Sequence, residues 1–127
     1  MTEALKWNPE TFGGEDDRWR DWSRVFRSWS GRFYKGQLHV VMDIVEKNKD
    51  VEAKVEDLDL RGLLANNGGE ATLRQMAAEL YHTLILLTRG RALRTLLTAG
   101  DGEGFEAWRL LIRRYEPSSS ATQGVDS

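Results

Sequence analysis

The chain of 127 residues contains two histidines, His39 and His82, and no cysteine, which bounds its nucleophilic and metal chemistry. A hydroxyl nucleophile needs a neighbouring base that a third polar group holds in place. Neither histidine stands in a motif of that kind, and both are expected on a helix surface or partly buried. Asp16 and Asp17 have the composition of an acid–base pair. At the start of a helical pattern they have a simpler task, capping free N–H groups at the positive end of the helix dipole. "DLDLRGLLANNG" from Asp57 opens like a calcium loop, with Asp57, Asp59 and Gly62 at the first, third and sixth positions. Arg61 and Gly68 then stand where a further ligand and the bidentate acid belong. "AGDGEG" from Ala99 is glycine-rich but lacks the Lys-Ser/Thr pair of a phosphate loop. No catalytic, cofactor-binding or metal-binding set emerges, so the expectation is a non-enzymatic protein without cofactor or small-molecule substrate.

Arginines are the remaining candidates. Arg89, Arg91 and Arg94, with Arg109, Arg113 and Arg114 further on, are candidate contacts to RNA or to another subunit, against the alternative of a solvated helical face. Trp108 and Tyr115 lie among them and could stack on single-stranded bases, but they share a helical phase with Leu111 and Ile112, which points to a core. The 18 basic and 20 acidic residues give a net charge of -2, against a general phosphate-binding surface. No window approaches the ~18 apolar residues of a membrane span, and "MTEALKWNPE" lacks the basic and apolar regions of a signal peptide. Absence of cysteine is compatible with a reducing compartment. The expected location is the cytoplasm.

The elements that must position these residues read as helices. Residues 1–14 form an extended lead-in, in which Pro9 and the Gly13-Gly14 pair disfavour a helix while Trp7 and Phe12 are available to pack. A helix starting near Asp16 carries Trp19, Trp22, Phe26, Trp29 and Phe33 at intervals of three and four, one aromatic stripe with arginines opposite, and Gly36 follows as a stop. "QLHVVMDIVEKNKD" places Leu38, Val41, Met42 and Val45 at helical spacing, although its β-branched residues tolerate a strand. An acid-rich run follows, and a short helix ends before the Asn66-Asn67-Gly68-Gly69 break. The next helix carries Leu73, Met76, Ala77, Leu80, Leu84 and Leu87, broadened by Ile85 and Leu86, and is expected to be central. Gly90 permits a turn into a short helix with Leu93, Leu96 and Leu97. A last helix from Gly104 to Tyr115 sets Phe105, Trp108, Leu111, Ile112 and Tyr115 on one face. From Pro117 the tail is expected to be disordered. The predicted fold is all-α, a single compact bundle of about five helices spanning residues 15–116.

The order of these features resembles the Gag polyproteins of LTR retrotransposons, particularly the copia-like group. The likeness rests on Phe12-Gly13-Gly14, on Trp19 and Trp22 opening an aromatic helix, on "LYHTLILLTRGRAL" and on "GFEAWRLLIRRYEP". Phe12, Gly13, Trp19, Trp22, Leu80, Tyr81, Ala92, Ala107, Trp108, Leu111 and Tyr115 occupy the matching positions, within residues 10 to 117. What the resemblance implies is the N-terminal part of a capsid-like domain with a structural role, self-associating as a homo-oligomer into particles that package element RNA. Two departures accompany it: a serine-rich tail stands where the family continues with further helices, and the absence of cysteine excludes its zinc knuckle. The expectation is therefore a truncated domain with weak RNA contact. The alternatives are a nucleic-acid-binding module, helix-turn-helix-like around Gly90, and a domesticated Gag remnant serving as an interaction module.

Overall fold

The structure, a computed structural model, describes residues 10–60 and 69–116. The expectations for residues 1–9, including Trp7 and Pro9, for the break at Asn66, Asn67 and Gly68, and for the tail 117–127 lie outside the described residues. The described chain is an all-α bundle: α1 (Asp16–Ser30), a 3-10 turn (Tyr34–Gly36), α2 (Gln37–Lys47), α3 (Val55–Leu60), α4 (Gly69–Leu87), α5 (Gly90–Leu97) and α6 (Gly104–Tyr115). Asp57, the first residue of the calcium-like run, lies within α3 and accepts a hydrogen bond from the Lys54 N–H at 3.1 Å. It closes a helix start; Arg61, Gly62 and Gly68 of the same run lie outside the described residues.

In α1 the spacing of three and four brings Trp19, Trp22, Phe26 and Trp29 to one buried face, as a period of 3.6 requires. The fifth ring of the stripe is not in the helix. α1 stops at Ser30, and Phe33 sits beyond it, half-buried and edge-on to Trp29 with ring centroids 4.8 Å apart. Tyr34 and Lys35 both take left-handed backbone angles, φ 56° and 55°, which turns the chain into α2. There the helical period prevails over β-branching, because Leu38, Val41, Met42 and Val45 all fall on one fully buried face.

α4 buries Leu73, Met76, Ala77, Leu80, Leu84 and Leu87 as its spacing predicts. Its apolar face is narrower than expected: Ile85 is half-buried and Leu86 is 55% exposed, since two residues beyond Leu84 is about 200° around a helix. In α5, Ala92 and Leu96 are buried whereas Leu97 is 48% exposed, for the same rotational reason. With α4, which packs against α3, α5 and α6, the centre of the bundle is formed by α6. It packs against α2, α4 and α5, and Gly104 through Arg109 are all buried. The approach of α6 to α4 is closest at Gly104, where a Cβ would lie 2.3 Å from the Ala77 carbonyl oxygen. The lead-in is extended as expected and joins the bundle through Phe12, whose N–H donates to the Leu87 carbonyl at 2.8 Å while its carbonyl accepts from the Arg89 N–H at 3.0 Å.

Candidate functional site

Residues that carry the family resemblance, far apart in sequence, meet in one aromatic cluster. Phe12 contacts Trp19, Trp22 and Tyr115 with centroids 5.4, 5.2 and 5.1 Å away. Trp19 reaches Trp108 at 5.7 Å and Tyr115 at 5.2 Å, and Phe26 reaches Trp108 at 5.3 Å. Such offset and edge-on pairs contribute about 0.5–1.5 kcal/mol each beyond their area burial. Leu80, Tyr81, Leu84, Ala92, Ala107 and Leu111 are buried beside them. Gly13 is not the tight position of its pair. A Cβ on Gly13 would meet the movable ends of the Glu15 and Arg89 side chains, whereas Gly14, at φ 104°, faces Tyr115, Arg91 and the Ala92 backbone within 3.1 Å.

A polar network ties this cluster to α2 and to the end of α6. The Arg27 guanidinium donates to Glu46 at 3.0 Å and to Glu116 at 2.8 Å. The Trp108 indole donates to Glu46 at 2.9 Å and the Trp19 indole to Glu116 at 2.8 Å. Burial pushes the Arg27 pKa down, but the hydrogen bonds and negative charges of Glu46 and Glu116 outweigh it and raise it overall. Both buried indoles thereby satisfy their N–H groups, a requirement of placing Trp in a core.

A second network corrects the expectation for Arg109, which is buried and not on an outer face. Its guanidinium donates to Glu106 at 2.8 and 2.6 Å and to the Lys49 carbonyl at 2.8 Å. Glu106 also accepts the Ala53 N–H at 2.7 Å, and Glu103 accepts the Val55 N–H at 3.0 Å. Two carboxylates from the start of α6 thus hold the segment leading into α3. Burial acts to raise the Glu106 pKa, and the Arg109 and Ala53 hydrogen bonds with the nearby positive charges lower it more.

The arginines singled out in the sequence are not brought together as one patch. Arg113 faces Asp50 at 3.6 Å and Arg114 faces Asp16 at 3.9 Å. Arg91 donates to the Gly14 carbonyl at 3.1 Å, while Arg89, just before α5, and Arg94 on it are exposed. The lead-in uses the backbone of Arg89 and the side chain of Arg91, so the start of α5, the end a helix-turn-helix aims at bases, is occupied within the fold. A different basic surface lies along α1. Arg20, Arg24 and Arg27, spaced four and three, line an open groove of about 700 Å³ with Asp16, Trp19, Ser23, Ser28, His39, Tyr115 and Glu116. The four-and-three spacing was readable in the sequence. That it faces a groove was not, because His39 and the end of α6 complete it.

His39 and His82 are exposed, as expected. No group of three or more His, Cys, Asp or Glu side chains arranged to hold a metal ion is found among the described residues. None of their helices is long and apolar enough to cross a membrane. Comparisons with protein-family models, with curated proteins and with solved structures found no match.

Proposed function

We propose that this chain is a structural, non-enzymatic capsid-like unit of a retrotransposon Gag protein, which self-associates in the cytoplasm into particles holding element RNA. The observation that carries the reading is the aromatic cluster. Phe12, Trp19, Trp22, Trp108 and Tyr115, the residues on which the copia-like resemblance chiefly rests, touch one another although they are spread from the lead-in to the last helix. Residues that define one fold are required to meet in its core, and these do. The rest of the molecule is consistent with a building block: among the described residues Trp19, Trp22, Trp29 and Trp108 are all spent on internal packing, and charged helix faces stay exposed. Many weak contacts between identical subunits suffice to assemble a large structure.

Sedimentation velocity and negative-stain electron microscopy over a concentration series test the reading. Concentration-dependent growth into discrete particles is the expected result. A chain that stays monomeric to high concentration, with and without RNA, sinks it.

A further inference from the structure

We infer that the α1 groove binds the phosphate backbone of single-stranded RNA, with Arg20 and Arg24 as its phosphate contacts. The choice of RNA as the strand rests on the capsid-like reading; the preference for successive phosphates rests on the groove. Of the two carboxylates that line it, Glu116 is held by Arg27 and the Trp19 indole, each at 2.8 Å, while Asp16 is exposed and 3.9 Å from Arg114. Arg27 is likewise committed to Glu46 and Glu116. What remains for an incoming ligand is Arg20 and Arg24, both exposed and in no ion pair among the described residues, with the exposed Ser28 hydroxyl and His39 imidazole beside them. Asp17 and Asp21, three residues before each arginine on α1, do not line the groove and do not pair with them.

Three arginines against two carboxylates leave the lining of the groove net positive. Four residues along a helix set Arg20 and Arg24 about 6 Å apart along the axis, the scale on which a nucleic-acid strand presents successive phosphates. Guanidinium groups suit phosphate oxygens because two parallel N–H donors match two acceptors. Trp19 lines the same groove but is only 3% exposed, and the Tyr115 ring is already stacked on Trp19 and covered by the Arg114 guanidinium at 5.1 Å, so neither is set out for a base to stack on. The contact is to the backbone and is indifferent to sequence.

Fluorescence anisotropy of the full chain with a labelled oligouridylate, titrated across a salt series, tests this. Each neutralised phosphate on a single strand contributes about -0.7 to the slope of log K against log salt. The R20Q/R24Q double variant is expected to flatten the slope by about 1.4 and to weaken low-salt binding by roughly 10-fold, with an unchanged circular dichroism spectrum because both side chains are exposed. An R89Q/R94Q control keeps the wild-type slope; if the control carries the loss instead, the site is misplaced and the inference is overturned. Absence of RNA binding by the wild type at low salt also overturns it, whether or not particles form. If R20Q/R24Q abolishes self-association at unchanged RNA affinity, the groove holds an acidic surface of a second copy and the RNA assignment fails. RNA binding that needs Arg20 and Arg24 in a chain that never assembles upholds the groove and removes the capsid reading.

Discussion

Gly104 and Glu106, two residues apart at the start of α6, are single positions on which the packing of neighbouring elements depends. A methyl group on Gly104 would lie 2.3 Å from the Ala77 oxygen, 2.6 Å from the Tyr81 nitrogen and 2.8 Å from the Leu80 Cβ. Two of these are backbone atoms of α4, which cannot swing aside, so Gly104→Ala must separate the helices. Overpacking of this kind costs about 3 kcal/mol or more, read as a lower urea midpoint with little change in slope. Glu106 acts through charge. With Glu106→Ala the Arg109 guanidinium, whose side chain is 7% exposed, loses its counter-ion and the Ala53 N–H loses its acceptor. Removing one partner of such a buried pair costs about 3–5 kcal/mol. The pH dependence follows from the lowered carboxyl pKa. A group held below its unfolded value stabilises fully at pH above that value, near 4.5, and the contribution is lost as pH falls through the folded one. Wild-type stability is therefore expected to decline as pH drops below about 4.5, and Glu106→Gln, already less stable at neutral pH, to decline less steeply. Equal slopes for the two proteins would show that other carboxylates govern acid unfolding.

At the scale of elements, the turn between α1 and α2 is the strained feature. Tyr34 and Lys35 occupy left-handed angles that cost a residue with a Cβ about 1–2 kcal/mol. Tyr34 is anchored by a long-range contact, its hydroxyl donating to Glu79 on α4. Burial, that hydrogen bond and the Glu79 charge all push the phenol pKa up, so Tyr34 stays a donor well above neutral pH. Lys35 is exposed and contributes only its strain. Lys35→Gly should therefore stabilise the protein by about 0.5–1 kcal/mol, a rise in Tm of a few degrees by calorimetry. No change or a loss would mean that the turn is not strained at this residue. The same turn marks the limit of what local pattern conveys. The buried faces of α2, α4 and α6 were legible because a 3.6-residue period fixes which side chains share a side. The end of α1 was not, since the aromatic period runs on to Phe33 and Tyr34 of the turn is anchored by Glu79, far along the chain. Arg109 misled for a similar reason: it reads as one of three surface arginines until α6 is seen to be enclosed by three other helices.

Over the whole molecule, the two ends of the described chain close on each other. Phe12 arrives from the lead-in and Tyr115 from the last turn of α6, their rings 5.1 Å apart and both against Trp19. Glu116 then binds Arg27 and Trp19 of α1. This closure builds the α1 groove, which is why sequence order could suggest its arginines but not the cavity. It also makes the fold one cooperative unit, because neither end can leave without opening the aromatic cluster. Phe12→Ala tests that coupling. The side chain is 1% exposed and sits among three other rings, so truncation removes the transfer energy of the ring and leaves a cavity that its rigid neighbours fill poorly, about 3–5 kcal/mol in total. Against the 5–15 kcal/mol typical of a whole domain, that loss should populate the unfolded chain visibly. Tryptophan emission and far-ultraviolet circular dichroism are expected to shift to lower denaturant together, with coincident midpoints. If the lead-in were instead a passive strap across a bundle stable without it, the variant would move the midpoint by the equivalent of less than about 1 kcal/mol. A separate early emission change would then appear as the strap came away before the helices.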